Sequence, residues 1–338
     1  MLRQLPMTAL LILQPFFGHA DPLSVLNLDR DATTVSGLSS GAFLAVQIQV
    51  AFSQRVVGAG VVAGGPYGCS DGNVFRAIRV CMNAFWGEAD AEAALETIQE
   101  LSEAGQIDDV SHLTADQVYL FHGEADDTVA RASMDAVRQT FALLNVPADQ
   151  IFYETEIEAG HGFVTEDGSL ECNITRPDFL IDCDIDQAGD ILNQLYADLL
   201  LPKEPRDEGL MSFDQAQYLG GAVGMDDTAF VYVPEACTAG ALCRLHIALH
   251  GCQQGRERIG DAYAVLTGYN RWAEANRIVV LYPQALTIPA PLWNWFGGNP
   301  NGCWDWWGYA GDDYLSQDAP QIAAIARMAA ALGAPFLD

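Results

Sequence analysis

Short apolar runs rich in β-branched residues alternate with longer amphipathic stretches along most of the chain. The runs predict strands at residues 56–63, 118–121, 229–233, 245–249 and 278–282, and the stretches predict helices at 89–104, 130–144, 187–200, 262–276 and 319–332. Strands that are apolar throughout are buried on both faces, as in a parallel sheet. The pattern therefore predicts an α/β fold, with a mostly parallel sheet and helices on both of its faces.

A charged stretch with two prolines, residues 201–209, separates two regions that each show this alternation. Neither region has enough strands for a complete sheet of this class. We therefore expect one domain over residues 21–338, in which the two halves interleave. The connection between the halves (the seam, near residues 201–212) is expected on the surface.

The first twenty residues have the features of a secretory signal peptide. Arg3 is their only charged residue, residues 7–17 are mostly apolar, and the segment ends in Gly18-His19-Ala20, with small residues where signal peptidase cuts. An apolar run of this length is too short to span a bilayer. We therefore expect an exported protein, extracellular or periplasmic, without a membrane anchor.

The charge balance narrows the range of partners. The chain has 16 basic and 45 acidic residues, a net charge of −29 at pH 7. Nucleic acid and anionic lipid surfaces both bind clusters of basic residues, so we expect neither a nucleic acid nor a membrane as a partner. If the partner is a polymer, we expect an uncharged one.

Eight cysteines in an exported chain favour disulfides over metal ligands. No Cys-x-x-Cys motif occurs, and His246 and His250 lie in a strand pattern that separates them by roughly 13 Å, so we predict no metal site. Eight cysteines allow 105 connectivities, and the short loops within three of the consecutive pairs favour sequential pairing. The expected pairs are Cys69 with Cys81, Cys172 with Cys183, Cys237 with Cys243, and Cys252 with Cys303.

The motif Gly37-Leu38-Ser39-Ser40-Gly41 follows a strand-forming run and precedes helix-forming residues. A strand, a Gly-x-Ser-x-Gly turn and a helix together make the turn at which α/β-hydrolases expose a nucleophilic serine. Glycines relieve the crowding in so sharp a turn. Ser39 is therefore the candidate nucleophile, and the N–H of Ser40 is a candidate donor to the oxyanion.

A nucleophilic serine needs a base and an acid that orients the base, and α/β-hydrolases carry both later in the chain, the acid first. Asp126 and Asp127 follow the predicted strand 118–121, and we favour Asp126. The alternative role of either residue is to cap the next helix. His161 lies between glycines in a loop, where an imidazole can be aimed, and is the candidate base.

The second oxyanion donor of this fold comes from a His-Gly loop that precedes the nucleophile. In this chain the pair His250-Gly251 ends a predicted strand far downstream of Ser39. Circular permutation explains this order, because it moves the segment that ordinarily comes first to a position behind the seam.

Five of the seven tryptophans fall within residues 293–307. Tryptophan is largely buried on average, which favours a place in the core. Gly, Pro and Asn interleave these residues, however, which is typical of a loop. We expect one or two of the tryptophans to line a substrate cleft.

Together these segments resemble the secreted, single-domain poly(3-hydroxybutyrate) depolymerases, whose catalytic domain is a circularly permuted α/β-hydrolase. The resemblance rests on SGLSSG at 36–41, AGGPYGC at 63–69, HGEADDTV at 122–129, GHGF at 160–163, LHIALHGC at 245–252, LYPQA at 281–285 and NPNGCWDW at 299–306. It implies Ser39 as the nucleophile, Asp126 as the orienting acid and His161 as the base.

The same resemblance implies that the N–H groups of Ser40 and Cys252 form the oxyanion hole and that Trp306 lies in the crevice for the polymer. The implied partner is a water-insoluble polyester or its oligomers, cleaved by a monomer without a metal or an organic cofactor. One alternative is an exported esterase of the same fold that acts on feruloyl or acetyl groups of plant polysaccharide. Another is a non-catalytic protein that adsorbs polymer through its tryptophan-rich loop.

Overall fold

The computed structural model of the protein describes residues 22–290 and 298–337. Its strands are β1 (Leu28–Leu38), β2 (Val56–Val62), β3 (Gln117–Phe121), β4 (Ile151–Glu154), β5 (Phe163–Val164), β6 (Leu170–Glu171), β7 (Leu180–Asp182), β8 (Leu210–Asp214), β9 (Thr228–Tyr232), β10 (Cys243–Leu249) and β11 (Ile278–Tyr282). Its α-helices are α1 (Ser40–Ala51), α2 (Val74–Arg76), α3 (Ala91–Glu103), α4 (Arg131–Leu143), α5 (Gln187–Leu195), α6 (Glu235–Thr238), α7 (Arg256–Ile259), α8 (Ala262–Leu266), α9 (Tyr269–Asn276) and α10 (Pro320–Leu332). Short π- or 3₁₀-helical turns occupy Ala77–Met82, Val110–Ala115, Ala148–Gln150, Asp207–Gly209 and Ala216–Tyr218.

Eight of these strands form one sheet in the order β4-β3-β2-β1-β10-β11-β9-β8, and β5, β7 and β6 form a small second sheet. Neighbouring strands in the large sheet are parallel except where β9 is involved, which runs antiparallel to β11 and to β8. The predicted α/β fold with a mostly parallel sheet is therefore confirmed.

Helices cover both faces of the large sheet. Successive side chains of a strand point to opposite faces, and along β11 Val279 and Leu281 join one buried cluster whereas Ile278, Val280 and Tyr282 join another. The first cluster also contains residues of α1, α4 and α10, and the second contains residues of α5 and α9. The sheet is thus buried on both sides, which is why its central strands are apolar throughout.

The strands before the seam and those after it lie side by side. β1 to β4 make one half of the sheet and β8 to β11 make the other, joined where β1 pairs with β10. The expectation that the halves interleave is therefore wrong, because only this one pair of strands crosses between them. Numbered from β8, the sheet has the order 1-2-4-3-5-6-7-8, that of an α/β-hydrolase whose chain begins at the seam.

The two ends of the described chain also meet. The N–H of Leu26 donates to the carbonyl of Leu332 at the end of α10, at 2.8 Å. Adjacent chain ends are the condition under which a domain can be permuted without losing its fold. Both the strand order and this contact therefore support a circular permutation.

The seam is mostly exposed, but two of its cations reach a buried acid. Glu274 on α9 is 5% exposed, and its carboxylate lies 3.4 Å from Lys203 Nζ and 3.6 Å from Arg206 Nε. Tyr232 donates its hydroxyl to the same carboxylate at 2.8 Å. A buried carboxylate with these partners is compensated, and the seam is thereby held against the second half of the chain.

Some predicted elements have different bounds in the structure. The predicted helix 262–276 is divided into α8 and α9 at Gly268, whose φ of 88° is a conformation that suits glycine and ends a helix. The predicted helix 187–200 ends at Leu195. Strands β4 and β8 lie at the two edges of the sheet and are only partly buried, so they lack the apolar run that identifies the central strands.

All eight cysteines form disulfides, in the pairs Cys69–Cys81, Cys172–Cys183, Cys237–Cys243 and Cys252–Cys303. These are the expected pairs, and in three of them the short separation of 12, 11 or 6 residues favours the pairing. Disulfides of this number are typical of an oxidising compartment. In the described part of the chain, no helix has both the length and the apolar character needed to cross a membrane.

Candidate active site

The turn between β1 and α1 holds Ser39 in a strained backbone conformation. Its φ of 56° and ψ of −120° are uncommon for a residue other than glycine. The N–H of Ser39 donates to Val62 O of β2 at 2.9 Å, and its carbonyl accepts the N–H groups of Ala42 and Phe43. Both neighbouring elements therefore fix this serine at the carboxyl end of β1, the place of a nucleophile in this fold.

The two glycines of this turn are required by close backbone packing. A Cβ on Gly37 would lie 2.3 Å from the backbone of Gly41. A Cβ on Gly41 would lie 2.4 Å from Leu249 O and 2.5 Å from His250 O, at the end of β10. Gly37 therefore allows the turn to close on itself, and Gly41 allows the His-Gly loop to approach the turn.

His161 and Asp126 form a hydrogen-bonded pair. His161 Nδ1 lies 2.8 Å from Asp126 Oδ2, and the two side chains are 6% and 1% exposed. The other carboxylate oxygen accepts the N–H groups of Thr128 and Val129, at 2.9 and 3.0 Å. The backbone N–H of His161 donates to Thr175 Oγ1 at 2.8 Å. Each member of the pair is thus held in place by its own surroundings.

Hydrogen bonds keep the Asp126 carboxyl ionised. Burial raises the pKa of this group, but hydrogen bonds from His161, Val129 and Thr128 outweigh the burial and lower the pKa below its ordinary value. An ionised carboxylate at this position can orient the imidazole and stabilise it when it becomes protonated. Asp127, the alternative acid, is exposed.

A cleft of about 660 Å³ opens over the carboxyl ends of β1 and β10. Its walls include Ser39, Ser40, His161, Cys252 and Trp306, so the structure brings the predicted site residues to one place, with Asp126 behind His161. Within the described residues the Ser39 hydroxyl and the His161 ring are not hydrogen-bonded to each other. Catalytic groups commonly close such a gap only when substrate binds.

Ser40 and Cys252 come from opposite halves of the chain and meet at this cleft. Ser40 is the first residue of α1, so its N–H has no acceptor within the helix. Cys252 follows β10 and is linked by its disulfide to Cys303. Two backbone N–H groups beside a nucleophile can stabilise an oxyanion.

Buried hydrogen bonds hold the loop that carries Cys252. Burial lowers the pKa of His250 to about 4, so its imidazole is neutral at pH 7. Its Nε2 accepts the N–H of Ala285 at 3.0 Å, which leaves Nδ1 to donate to Gly251 O at 2.7 Å. Trp304 Nε1 donates to the carbonyl of His250 at 2.9 Å. The His-Gly loop is therefore positioned before any substrate arrives.

Gln254 connects this loop to the one that flanks His161. Its side chain is fully buried; Oε1 accepts the N–H of Gly251 at 2.7 Å, and Nε2 donates to Asp178 O at 2.7 Å and Phe179 O at 3.3 Å. The Phe179 ring in turn packs edge-on against His161, with centroids 6.2 Å apart. Sequence reasoning missed Gln254, whose only signal is a polar side chain next to the predicted His-Gly loop.

Two tryptophans line the cleft and a third supports it. Trp306 is 5% exposed, and its ring stacks on Phe43 with centroids 3.9 Å apart. Trp307 meets Trp306 edge-on and also lines the cleft, whereas Trp304 is fully buried in the core. The tryptophans of segment 291–297 lie outside the described residues.

The two histidines with the spacing of a metal pair have other partners. His246 Nδ1 lies 2.7 Å from Thr34 Oγ1 and its Nε2 lies 2.8 Å from Ser36 Oγ. Burial lowers the pKa of His246 to about 3, and His250 supports the His-Gly loop. In residues 22–290 and 298–337, no group of three or more His, Cys, Asp or Glu side chains could hold a metal ion.

Comparison with known sequences reveals two relatives that match 90% of the chain, although no family model matches it. The poly(3-hydroxybutyrate) depolymerase of Delftia acidovorans is 40% identical over 311 residues, and the match spans 60% of that protein. The polyhydroxybutyrate depolymerase of Talaromyces funiculosus is 36% identical over 318 residues, and the match spans 91% of it. The chain thus covers less than two thirds of the first relative and nearly all of the second.

Two solved structures share the whole fold. The crystal structure of PHB depolymerase from Penicillium funiculosum has a TM-score of 0.83 at 34% identity, covering 93% of this chain and 99% of that one. A PHB depolymerase with an S39A substitution, complexed with an R3HB trimer, has a TM-score of 0.84 at 34% identity, covering 92% and 98%. The similarity therefore includes both halves of the chain on either side of the seam.

Proposed function

The chain belongs to the poly(3-hydroxybutyrate) depolymerase family, and from this membership we propose that it hydrolyses the ester bonds of poly(3-hydroxybutyrate) or a closely similar aliphatic polyester. A serine, a histidine and an aspartate at one cleft support a serine-dependent ester hydrolysis. The observation that carries the proposal is the hydrogen bond between His161 and Asp126, because His161 lines the same cleft as Ser39.

Each group of the triad has a defined task in this proposal. Ser39 Oγ attacks the ester carbonyl carbon while His161 takes its proton and Asp126 stabilises the imidazolium. The bond to the alcohol fragment then breaks as His161 gives the proton to the leaving oxygen, and the acyl fragment stays esterified to Ser39. Water, deprotonated by His161, attacks this ester and releases a carboxylic acid and the free serine.

The oxyanion donors and the aromatic wall of the cleft suit an uncharged polymer. The N–H groups of Ser40 and Cys252 stabilise the carbonyl oxygen when it becomes negative. Loss of one such donor typically lowers the rate by about a hundredfold or more. The stacked rings of Phe43 and Trp306 offer an apolar wall to the methyl and methylene groups of the polyester. These contacts bind the chain without recognising a charge on it.

We also propose that the protein is exported and acts as a monomer. Four disulfides support an oxidising compartment, and residues 1–20 supply the expected signal peptide. The mass of the protein recovered from medium or periplasm should then correspond to a chain that begins at Asp21. Light scattering should give the mass of one chain.

Hydrolysis of poly(3-hydroxybutyrate) film, with the soluble products identified by mass, tests the proposal. Hydroxybutyrate or its short oligomers should appear with the wild type and not with Ser39→Ala. Ser53→Ala, which alters a buried serine bonded to Asp109 O away from the cleft, is the control and should retain activity. Release of ferulate or acetate from plant polysaccharide without any hydroxybutyrate would favour the esterase alternative, which the relatives' names do not support.

A further inference from the structure

Charge is distributed unevenly between the cleft and the rest of the molecule. The chain has 45 acidic residues, yet no Asp or Glu occurs among the described residues that line the cleft, and Arg176 is the only Lys or Arg among them. One arginine and no carboxylate among the described lining residues should attract an anion to that point.

The guanidinium of Arg176 is available to such an anion. No carboxylate of the described residues lies within ion-pair distance of it, and the residue is exposed. Asp178, a nearby acid in the sequence, is bound to Ser169, whose hydroxyl lies 3.1 and 2.9 Å from its two oxygens. The planar guanidinium therefore keeps free donors, in the geometry that suits a carboxylate.

Arg176 lies on the side of the cleft from which the alcohol fragment leaves. Its neighbour Thr175 accepts the backbone N–H of His161, and Phe179, which packs against His161, donates its N–H to Arg176 O at 2.8 Å. Because His161 protonates the leaving oxygen, the leaving fragment departs along this loop. In a chain of hydroxyacid units that fragment ends in the free carboxyl group, since the hydroxyl end stays on the serine.

We propose that Arg176 binds the terminal carboxylate of a short hydroxyacid oligomer on the leaving-group side of the cleft. The enzyme then prefers oligomers with a free carboxyl end over capped ones. This inference rests on the proposed ester hydrolysis. Because the arginine is exposed, the preference is limited to about threefold to fivefold, the range of a solvent-exposed ion pair.

The test compares the free-acid trimer of (R)-3-hydroxybutyrate with its methyl ester, and follows by mass the cleavage of the bonds between units. For the wild type, kcat/KM should be about threefold to fivefold higher for the free acid than for the methyl ester, because KM is lower for the acid. This difference should become smaller in about 1 M salt, which screens the ion pair. Arg176→Gln should treat the two substrates alike. Arg138→Gln, which alters an exposed arginine on α4 outside the cleft lining, is the matched control and should keep the wild-type ratio.

The outcomes separate this inference from the function on which it rests. If Arg176→Gln leaves the acid-to-ester ratio of kcat/KM unchanged, the carboxylate site is overturned while the proposed ester hydrolysis stands. An equal loss of rate on both trimers would also overturn it, because the arginine would then support the cleft rather than recognise a charge. If the wild type cleaves neither trimer nor film, the proposed function itself fails.

Discussion

The two halves of the chain contribute different parts of the cleft. The half before the seam contains the proposed reactive side chains, Ser39, Asp126 and His161. The half after it contributes the backbone N–H of Cys252 and the apolar wall around Trp306. Replacing a reactive side chain of the first half should therefore remove a group that makes or breaks bonds. A change in the second half should instead move the oxyanion loop or weaken substrate binding, with the reactive groups still present.

The largest effect should follow from Asp126→Asn in the first half. An amide in place of the carboxylate cannot orient the imidazole as a proton acceptor or stabilise its protonated form, so kcat on a soluble butyrate ester should fall by about a thousandfold to ten-thousandfold. The melting temperature, measured alongside, reports whether the fold is intact.

Asp127→Asn is the matched control for this change, since it removes the neighbouring exposed carboxylate. Its kcat should stay within about twofold of the wild type, the usual range for a surface change. A larger loss with Asp127→Asn than with Asp126→Asn would reverse the assignment of the acid.

An intermediate effect is expected from Gln254→Glu in the second half. A carboxylate keeps the acceptor for Gly251 N–H but faces the carbonyls of Asp178 and Phe179 without a donor. The loop of Cys252 should shift, and kcat should fall by about tenfold to a hundredfold, less than the loss of a whole oxyanion donor. Burial favours the protonated form of the introduced carboxyl group, whose O–H can still donate to one of these carbonyls. Since this proton is lost at higher pH, the activity of the variant relative to the wild type should fall as pH rises.

Gln215→Glu separates this positioning effect from a loss of stability. Gln215 is also fully buried; its Oε1 accepts one backbone N–H, from Gln284, and its Nε2 donates to the carbonyls of Asp226 and Gln284. It does not line the cleft. The Gln215→Glu variant should have a lower melting temperature, as Gln254→Glu should, but an unchanged kcat and pH profile. If the two variants lose kcat equally, the proposed role of Gln254 is refuted.

The difference between reactive residues in local motifs and positioning residues with distant partners also explains how much of the site the sequence could predict. Ser39 and His161 lie in short motifs whose glycines are needed locally, so neighbours along the chain reveal them. Gln254 has partners 76 and 75 residues away, and no local pattern reports contacts of that range. The sheet follows the same rule, since its apolar central strands were predicted and its half-exposed edges, β4 and β8, were not.

The arrangement of the halves was only partly predictable for a similar reason. The position of His250-Gly251 behind Ser39 indicated a permuted order. That the halves lie side by side depends on which strands pair, and the pairing of β1 with β10 is a contact between distant segments. Apolar runs identify strands but not their neighbours.

The smallest effect should come from Trp306→Phe, which places a smaller ring against Phe43. The smaller ring removes part of the apolar wall proposed to contact the polyester, so KM for the hydroxybutyrate trimer should rise severalfold while kcat on a small ester stays near the wild type. Trp272→Phe, on α9 and bonded to Asp186, is the control and should leave KM unchanged. A fall in kcat with no change in KM would contradict a role in substrate binding.

The most direct test of a cleft built from both halves is the structure of the Ser39→Ala protein with the trimer of (R)-3-hydroxybutyrate bound. The carbonyl oxygen of the ester next to residue 39 should lie about 2.7–3.1 Å from both the Ser40 and the Cys252 backbone nitrogens. A trimer whose ester oxygen contacts the first half alone, with Cys252 N–H turned elsewhere, would contradict the account.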